Sequence, residues 1–429
     1  MITPPRVRLI STGSEITQGM YADTNAQRLS VSLFEQGFRV VGHSAAPDDF
    51  EAILSAITDA APHCNLIVTT GGLGPTEDDL NRDVISKWCG QALIKDDRAE
   101  DMIRDRFRRR GREMPASNER QAFIPETAQI LYNHWGTAPG FVVPGTNGLP
   151  ALVALPGPPS EWKPMLAEAL KNELATAFPN RPLRTIHSLH LAMIPESTVN
   201  GRIRDLFANQ AGCELTILAS RGHIRLRIIA TGSAEEENQT NIKRLRDELL
   251  ARLGASFIFG EGAGDQTLAA ALVSLFKSHR KTIATAESCT GGWVAKDITD
   301  VAGSSQIFKS GWVTYSNEAK MRDLTVPEAL ITAHGAVSEP VVRAMAEGAR
   351  AKSGADYALS VSGIAGPDGG SDDKPVGTVW FAVASAEKTF AVRRIFSGDR
   401  ESIRSFATIQ ALDFLRRALL GIDRELSLL

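Results

Sequence analysis

The first third of the chain follows an order of elements that leaves few folds open. Val7–Thr12 reads as a strand, and Asp23–Gly37 as a helix with Ala26, Leu29 and Leu33 on one face that stops at a glycine. Arg39–His43 reads as a second strand. Phe50, Ile53, Leu54 and Ile57 then recur at helical spacing, and Asn65–Thr70 is an apolar, buried-looking strand. This β-α-β-α-β order predicts a parallel sheet covered by helices, with ligands bound beyond the carboxyl ends of its strands. The glycine-rich run Thr70-Gly-Gly-Leu-Gly-Pro-Thr76 lies at such an end. Backbone amides of Gly71, Gly72, Gly74 and Thr76 could form an anion-binding nest there, with the positive end of a following helix behind it. Asp78, Asp79 and Asp83 offer hard oxygen ligands for a divalent cation, with Asp79 and Asp83 one helical turn apart, and Glu15 could complete the set. The competing reading is that these acids merely favour a helix N-terminus.

Near residue 172 the pattern changes. Leu183–Met193, Cys213–Ala219 and His223–Thr231 read as short strands, with helices around Ser197–Ala208 and Ala234–Leu253 and a linker or turn at Gly260–Asp265. A third unit, again alternating strand and helix, runs on from there. The expected fold is α/β: two three-layer domains with mainly parallel sheets, residues 1–172 and 259–429, joined by a small α+β module at 173–258. A chain of 429 residues with 43% hydrophobic residues can build several such cores. Its net charge of −3 gives no pull toward nucleic acid or anionic membrane. Arg104–Arg112 is a local basic cluster, but Asp96, Asp97, Glu100, Asp101 and Asp105 partly neutralise it and no aromatic platform flanks it, so a solvated helix face is expected. Four scattered cysteines form no Cys-x-x-Cys pair, and neither a leader segment nor a membrane-length apolar run is visible. A cytoplasmic protein without nucleic-acid or membrane partners is expected.

The richest motif is Ala286-Glu-Ser-Cys-Thr-Gly-Gly-Trp293, which follows the strand-like Lys281–Thr285. It sets two nucleophiles, Ser288 and Cys289, where a strand should turn into a helix with free N–H groups nearby to hold an oxyanion. Successive strand residues point opposite ways, so one of the two should face the pocket. Residues and spacing leave the choice open. Histidines are scarce in this unit, so Lys320, in Tyr315-Ser-Asn-Glu-Ala-Lys320, is the candidate base if burial lowers its pKa from about 10.4. Tyr315 could hydrogen-bond it or relay its proton. A third small-residue loop, Ser362-Gly-Ile-Ala-Gly-Pro367, also follows an apolar strand.

Taken together, AESCTGGW, GWVTYSNEAK, AHGAVSEPVVRAMAEGAR, SVSGIAGPDGG and KPVGTVWFAVA closely resemble the C-terminal domain of the CinA family. GSEITQGMYADTNAQRL, TTGGLGPTEDDLNRDV, NERQAFIPETAQILYNHWGTAPGF and LPGPPSEW resemble that family's N-terminal half, which has the fold of molybdopterin-binding proteins. The resemblance implies deamidation of nicotinamide mononucleotide, with Ser288 as nucleophile, Lys320 as its base, Tyr315 as their hydrogen-bonding neighbour, and no cofactor. Ser305 and Ser362 match further active-site hydroxyl positions. Gly291, Gly292, Gly363 and Gly366 would admit substrate close to the backbone, and Arg400 and Arg404 are candidates for its phosphate unless they are helix-surface residues. For the N-terminal domain the resemblance implies hydrolysis of ADP-ribose with a divalent metal ion. A homodimer is also expected.

Some residues depart from the family pattern. LPGPPSEW has Pro158 and Trp162 where an aliphatic residue and methionine are usual, and DDLN replaces the commoner DDLT. These changes touch the N-terminal pocket, where a domain that only binds a pterin-type nucleotide is the alternative. The family's competence-linked name also invites an adaptor in DNA uptake or recombination, against which the near-neutral charge and the catalytic constellation argue. Neither a Walker motif nor Gly-x-Gly-x-x-Gly occurs, so ATPase and dinucleotide-oxidoreductase readings have no support.

Overall fold

The computed structural model of the chain describes residues 2–422, apart from 147, 209–211 and 265. It comprises two compact units, Met1–Thr185 with Thr231–Glu237, and Ile186–Ala230 with the chain from Asn238 onward.

The first unit is built on a six-stranded sheet with the spatial order Arg39–Ala46, Arg6–Thr12, Leu66–Thr70, Ala151–Leu155, Gly140–Val143, Gln129–Leu131. The first four strands are parallel and the last two join antiparallel. Side chains alternate across the sheet, as the period of a strand requires. Val7, Leu9, Leu66 and Val68 pack into one layer with Leu29, Leu33 and Trp162, while Ile10 and Ile67 enter the other with Ile53, Ile57 and Val84. Two of the covering helices start on aspartate caps: Asp23 accepts from the Ala26 N–H and Asp49 from the Ala52 N–H. The basic cluster lies on the helix Asp97–Arg108 and beyond, where Arg104 pairs with Glu100 and Glu119, and Arg108 with Asp105.

The second unit contains two sheets. One has the order Cys213–Ser220, His223–Gly232, Leu183–Ala192, Ile258–Gly262, and packs against the helix Glu235–Leu253. Its last strand includes part of the segment read from sequence as a linker. Gly260 stands opposite His190 in an antiparallel pair, a role set by a distant strand and invisible locally. Asp265, the end of that segment, lies outside the described residues. The other sheet has the order Phe308–Val313, Ile283–Glu287, Tyr357–Gly363, Thr378–Ala384, Thr389–Ile395. Its first three strands are parallel and its last two form an antiparallel hairpin, where strand–helix alternation was expected. The connection between Ala384 and Thr389 is too short for a crossover helix. No described helix is long and apolar enough to cross a membrane.

Candidate active site

The fully buried strand Ile283–Glu287 brings the chain to Ser288, and the helix Trp293–Thr299 leads it away. Gly291 and Gly292 make the turn with φ of 62° and 92°, a left-handed region that glycine enters without strain. Strand alternation separates the two nucleophiles. Cys289 is buried in the hydrophobic core of the domain, and burial pushes its thiol up to about 12. A thiol so placed is neither accessible nor ionised at neutral pH. Ser288 turns the other way, with its Oγ 3.2 Å from Nζ of Lys320.

Lys320 lies in the first turn of the helix Asn317–Leu324, which Ser316 caps by accepting from the Ala319 N–H. Its side chain is almost wholly buried, and Nζ lies 2.8 Å from the Thr314 carbonyl and 3.3 Å from the Tyr315 carbonyl. No carboxylate is within ion-pair distance of it among the described residues. Desolvation therefore lowers its pKa, outweighing small opposing contributions from Cys289 and Glu318. The partner set fits the neutral amine: two N–H groups donate to the two carbonyls, and the lone pair remains for the Ser288 hydroxyl proton.

Tyr315 contributes to this arrangement differently from the expectation. Its backbone carbonyl, not its phenol, meets Lys320, and the phenol oxygen accepts from Arg400 at 2.9 Å. Arg400 and Arg404 sit one turn apart at the start of the helix Arg400–Leu420, capped by Asp399. Arg400 also donates to the Gly366 carbonyl at 2.8 Å. Arg404 donates to the carbonyls of Cys289 at 3.0 Å and Thr290 at 2.9 Å, and lies over the Trp293 ring. Arg404 thus borders the nucleophile loop and Arg400 the Tyr315 and Gly366 loops, and neither guanidinium has a carboxylate partner among the described residues.

The remaining residues named from sequence divide. Ser362 is brought beside the nucleophile, since the Ser288 N–H donates to Val361 at 2.9 Å. Its own hydroxyl donates to the Ala336 carbonyl at 2.8 Å. Ser305 is not brought there. It precedes the strand Phe308–Val313, which runs parallel to Ile283–Glu287 with Ile283 opposite Phe308. Ser305 thus lies at the opposite end of the sheet from Ser288, about 15–20 Å away for a strand of this length. Gly363 and Gly366 also have other reasons to be glycine. A Cβ on Gly363 would meet Val379 Cγ2 at 2.7 Å and the Thr378 carbonyl at 2.9 Å, and one on Gly366 would meet Val376 at 2.6 Å. Packing, not substrate, excludes a side chain at these two positions. A Cβ on Gly291 would instead meet only Arg404, at 3.4 Å.

Glu287 was missed in the sequence, although an acid at the end of an apolar strand is a signal. Its buried carboxylate accepts from Gly292 at 3.0 Å, Val294 at 3.1 Å and Ala295 at 2.8 Å. The helix N-terminus behind the nucleophile is therefore capped internally, so those three N–H groups are not free for an oxyanion. Glu287→Gln sets an NH₂ donor among N–H donors and should lower stability by about 1–3 kcal/mol, read from the urea midpoint.

In the first unit, a cavity of about 560 Å³ at the carboxyl ends of the strands is bordered by Glu15, Gly71, Gly72, Gly74, Asp78 and Asp79, but not by Thr76 or Asp83. The expected nest is filled by the protein itself. Asp79 accepts from the Gly74 N–H at 2.7 Å and from the N–H and hydroxyl of Thr76 at 2.8 and 2.5 Å, while the Gly71 N–H donates to Leu155. Asp83 is ion-paired with Arg120 at 3.0 Å, and Asp78 is exposed with its carboxyl held below the usual range by the Thr76 hydroxyl. The three acids do not converge, and no group of three or more His, Cys, Asp or Glu side chains among the described residues could hold a metal ion. This arrangement does not fit the expected divalent-metal site.

Three other side chains organise the cavity. Asn81 donates to Thr12 and to the Gly71 carbonyl at 3.0 and 2.6 Å. Arg82 is buried beneath the loop and donates to the Leu73 and Gly74 carbonyls at 2.7 and 2.9 Å, with desolvation lowering its pKa to about 10. Asn25 donates to the Gly157 carbonyl at 2.7 Å and accepts from Trp162 at 3.0 Å. Of the three residues that depart from the family pattern, Asn81 and Trp162 are thus tied into the loop network and Pro158 borders the cavity.

The site geometry defines a chain with one α/β domain whose glycine-rich loop borders a cavity and a second α/β domain carrying a buried serine–lysine pair. Family models match in the same order: a probable molybdopterin binding domain at residues 8–176, a damage-inducible protein CinA KH domain at 187–260, and the CinA C-terminal domain at 265–419. A putative competence-damage inducible protein of Symbiobacterium thermophilum is 41% identical, covering 96% of this chain and 98% of its own. A CinA-like protein of Geobacter sulfurreducens is 40% identical, covering 97% and 99%. The chain belongs to the CinA family. Among solved structures, the competence/damage inducible protein CihA of Agrobacterium tumefaciens is 40% identical over 36% of this chain and 93% of its own, with a TM-score of 0.35.

Proposed function

We propose that the second unit is an amidohydrolase that converts nicotinamide mononucleotide to the nicotinic acid form. The observation that carries this reading is the 3.2 Å approach of Ser288 Oγ to a buried Lys320 with no counter-ion among the described residues. In this mechanism Ser288 Oγ attacks the carboxamide carbon while Lys320 Nζ takes the hydroxyl proton. The resulting ammonium returns that proton to the nitrogen as the C–N bond breaks, giving ammonia and an ester on Ser288. Neutral Lys320 then deprotonates a water that cleaves the ester, restoring the serine. Arg400 and Arg404 are the groups available for the substrate phosphate, at the cost of part of their hydrogen bonding to loop carbonyls. The reading is tested by incubating the purified chain with nicotinamide mononucleotide and following ammonia and nicotinic acid mononucleotide together. Equimolar appearance of both supports it; an unchanged nucleotide refutes it.

For the first unit we propose nucleotide binding in the cavity bordered by Glu15, Gly72 and Asp78. The observation favouring binding over turnover is that Asp79 and Asp83 are committed within the protein. Hydrolysis of ADP-ribose to AMP and ribose 5-phosphate is the alternative. AMP formed from ADP-ribose with Mg²⁺ or Mn²⁺, and lost in Asp79→Ala, would establish it.

A further inference from the structure

A second cavity, of about 690 Å³, opens within the second unit, where the strands Leu183–Ala192 and His223–Gly232 meet the domain that carries Ser288. Its size falls in the range of small-molecule sites, roughly 300–1,000 Å³. Three rings form one wall: His190 and His223 stack with centroids 5.3 Å apart, and Phe259 lies 5.8 and 5.2 Å from them.

The hydrogen bonds fix the protons on this wall. His190 is fully buried, and its Nε2 lies 3.2 Å from the Gly264 carbonyl. A carbonyl only accepts, so His190 Nε2 carries the proton and Nδ1 is a bare lone pair in the neutral ring. That lone pair lies 3.1 Å from His223 Nε2, which must therefore donate to it. The relay ends at His223 Nδ1, an unprotonated acceptor without a polar partner among the described residues, on a ring that lines the cavity. Burial first, then the adjacent imidazole and Arg225, push His223 down to about 4, so the relay is neutral at physiological pH. Among the described residues, four charged ones line the cavity: Arg221 pairs with Glu401 at 3.2 Å, Asp300 with Lys296 at 2.5 Å, burial raises the pKa of the Asp297 carboxyl, and Arg225 lies beside the relay.

We propose that this cavity is a binding site for an uncharged, planar heteroaromatic molecule with an N–H donor on its edge, stacked along the imidazole–phenyl wall and donating to His223 Nδ1. The aromatic wall supplies stacking, and the lone acceptor of the neutral relay selects an N–H donor over an anion, which it repels. The site is separate from the Ser288–Lys320 pair and does not depend on the reaction assigned to it.

The test uses full-length chain carrying Ser288→Ala, so that nothing turns over, titrated with nicotinamide and with adenine at pH 7.5 by calorimetry. Saturable binding of at least one probe is expected, weakened at least tenfold by His223→Phe, which keeps a ring and removes the acceptor. Ala219→Trp, an exposed position on the cavity wall, should block binding by filling the mouth. Nicotinate, the charged counterpart of nicotinamide, should bind at least tenfold more weakly. Absence of saturable binding by either probe would overturn the proposal. So would binding that Ala219→Trp leaves intact, a result that decides the question even if His223→Phe fails to fold.

Discussion

Ser288→Ala should lower ammonia release from nicotinamide mononucleotide by about 10⁴-fold or more, the scale on which nucleophile removal acts in serine hydrolases. Cys289→Ala should retain most of the activity despite adjoining it, because the cysteine side chain packs in the core and its thiol is held protonated by burial. A thiol-alkylating reagent on the native chain should leave turnover unchanged. Inactivation by the reagent that Cys289→Ala escapes would reverse the assignment.

Lys320→Arg should lower the rate by about 10³-fold, within the range for loss of a general base. Arginine keeps the charge but offers no lone pair at accessible pH, and its guanidinium does not fit between the Thr314 and Tyr315 carbonyls as an amine does. Lys320→Met separates chemistry from structure: it should be equally inactive yet fold at least as stably. The sign follows from linkage. The folded-state pKa of Lys320 lies below the unfolded value of about 10.4. The cost of burying it is therefore absent above the unfolded value and complete below the lowered folded one. Stability should rise with pH across that window in the wild type, and this component of the slope should vanish in Lys320→Met, read from urea midpoints at successive pH values.

Much of this site is legible in the sequence because small residues and nucleophiles gather at strand ends. The strand–turn–helix around Ser288 and the glycine loop at Gly71–Thr76 both follow from local pattern. What escapes local pattern is partnership. Ser305 reads as one more loop serine until the register puts it at the wrong end of the sheet. Asp79 reads as a metal ligand or as an acid favouring a helix N-terminus, and only the positions of the Gly74 and Thr76 N–H groups reveal that it closes the glycine loop. Tyr315 acts through its carbonyl, which no side-chain identity announces. Gly363 resembles a substrate contact, yet its constraint comes from the neighbouring strand. The hairpin Thr378–Ile395 was accessible in principle, since four residues between two strands permit only an antiparallel return.

The claim at the centre of this account is that Lys320 is a neutral amine when it meets Ser288. The most direct measurement is the titration of Lys320 itself, followed by NMR of ¹³C-labelled lysine, assigned by its loss in Lys320→Arg, and compared with the pH profile of kcat/KM. The account predicts that Lys320 titrates below the ordinary lysine value and that kcat/KM for nicotinamide mononucleotide rises with pH through the same midpoint. A Lys320 that titrates near 10.4, with activity already at its plateau at neutral pH, would contradict it.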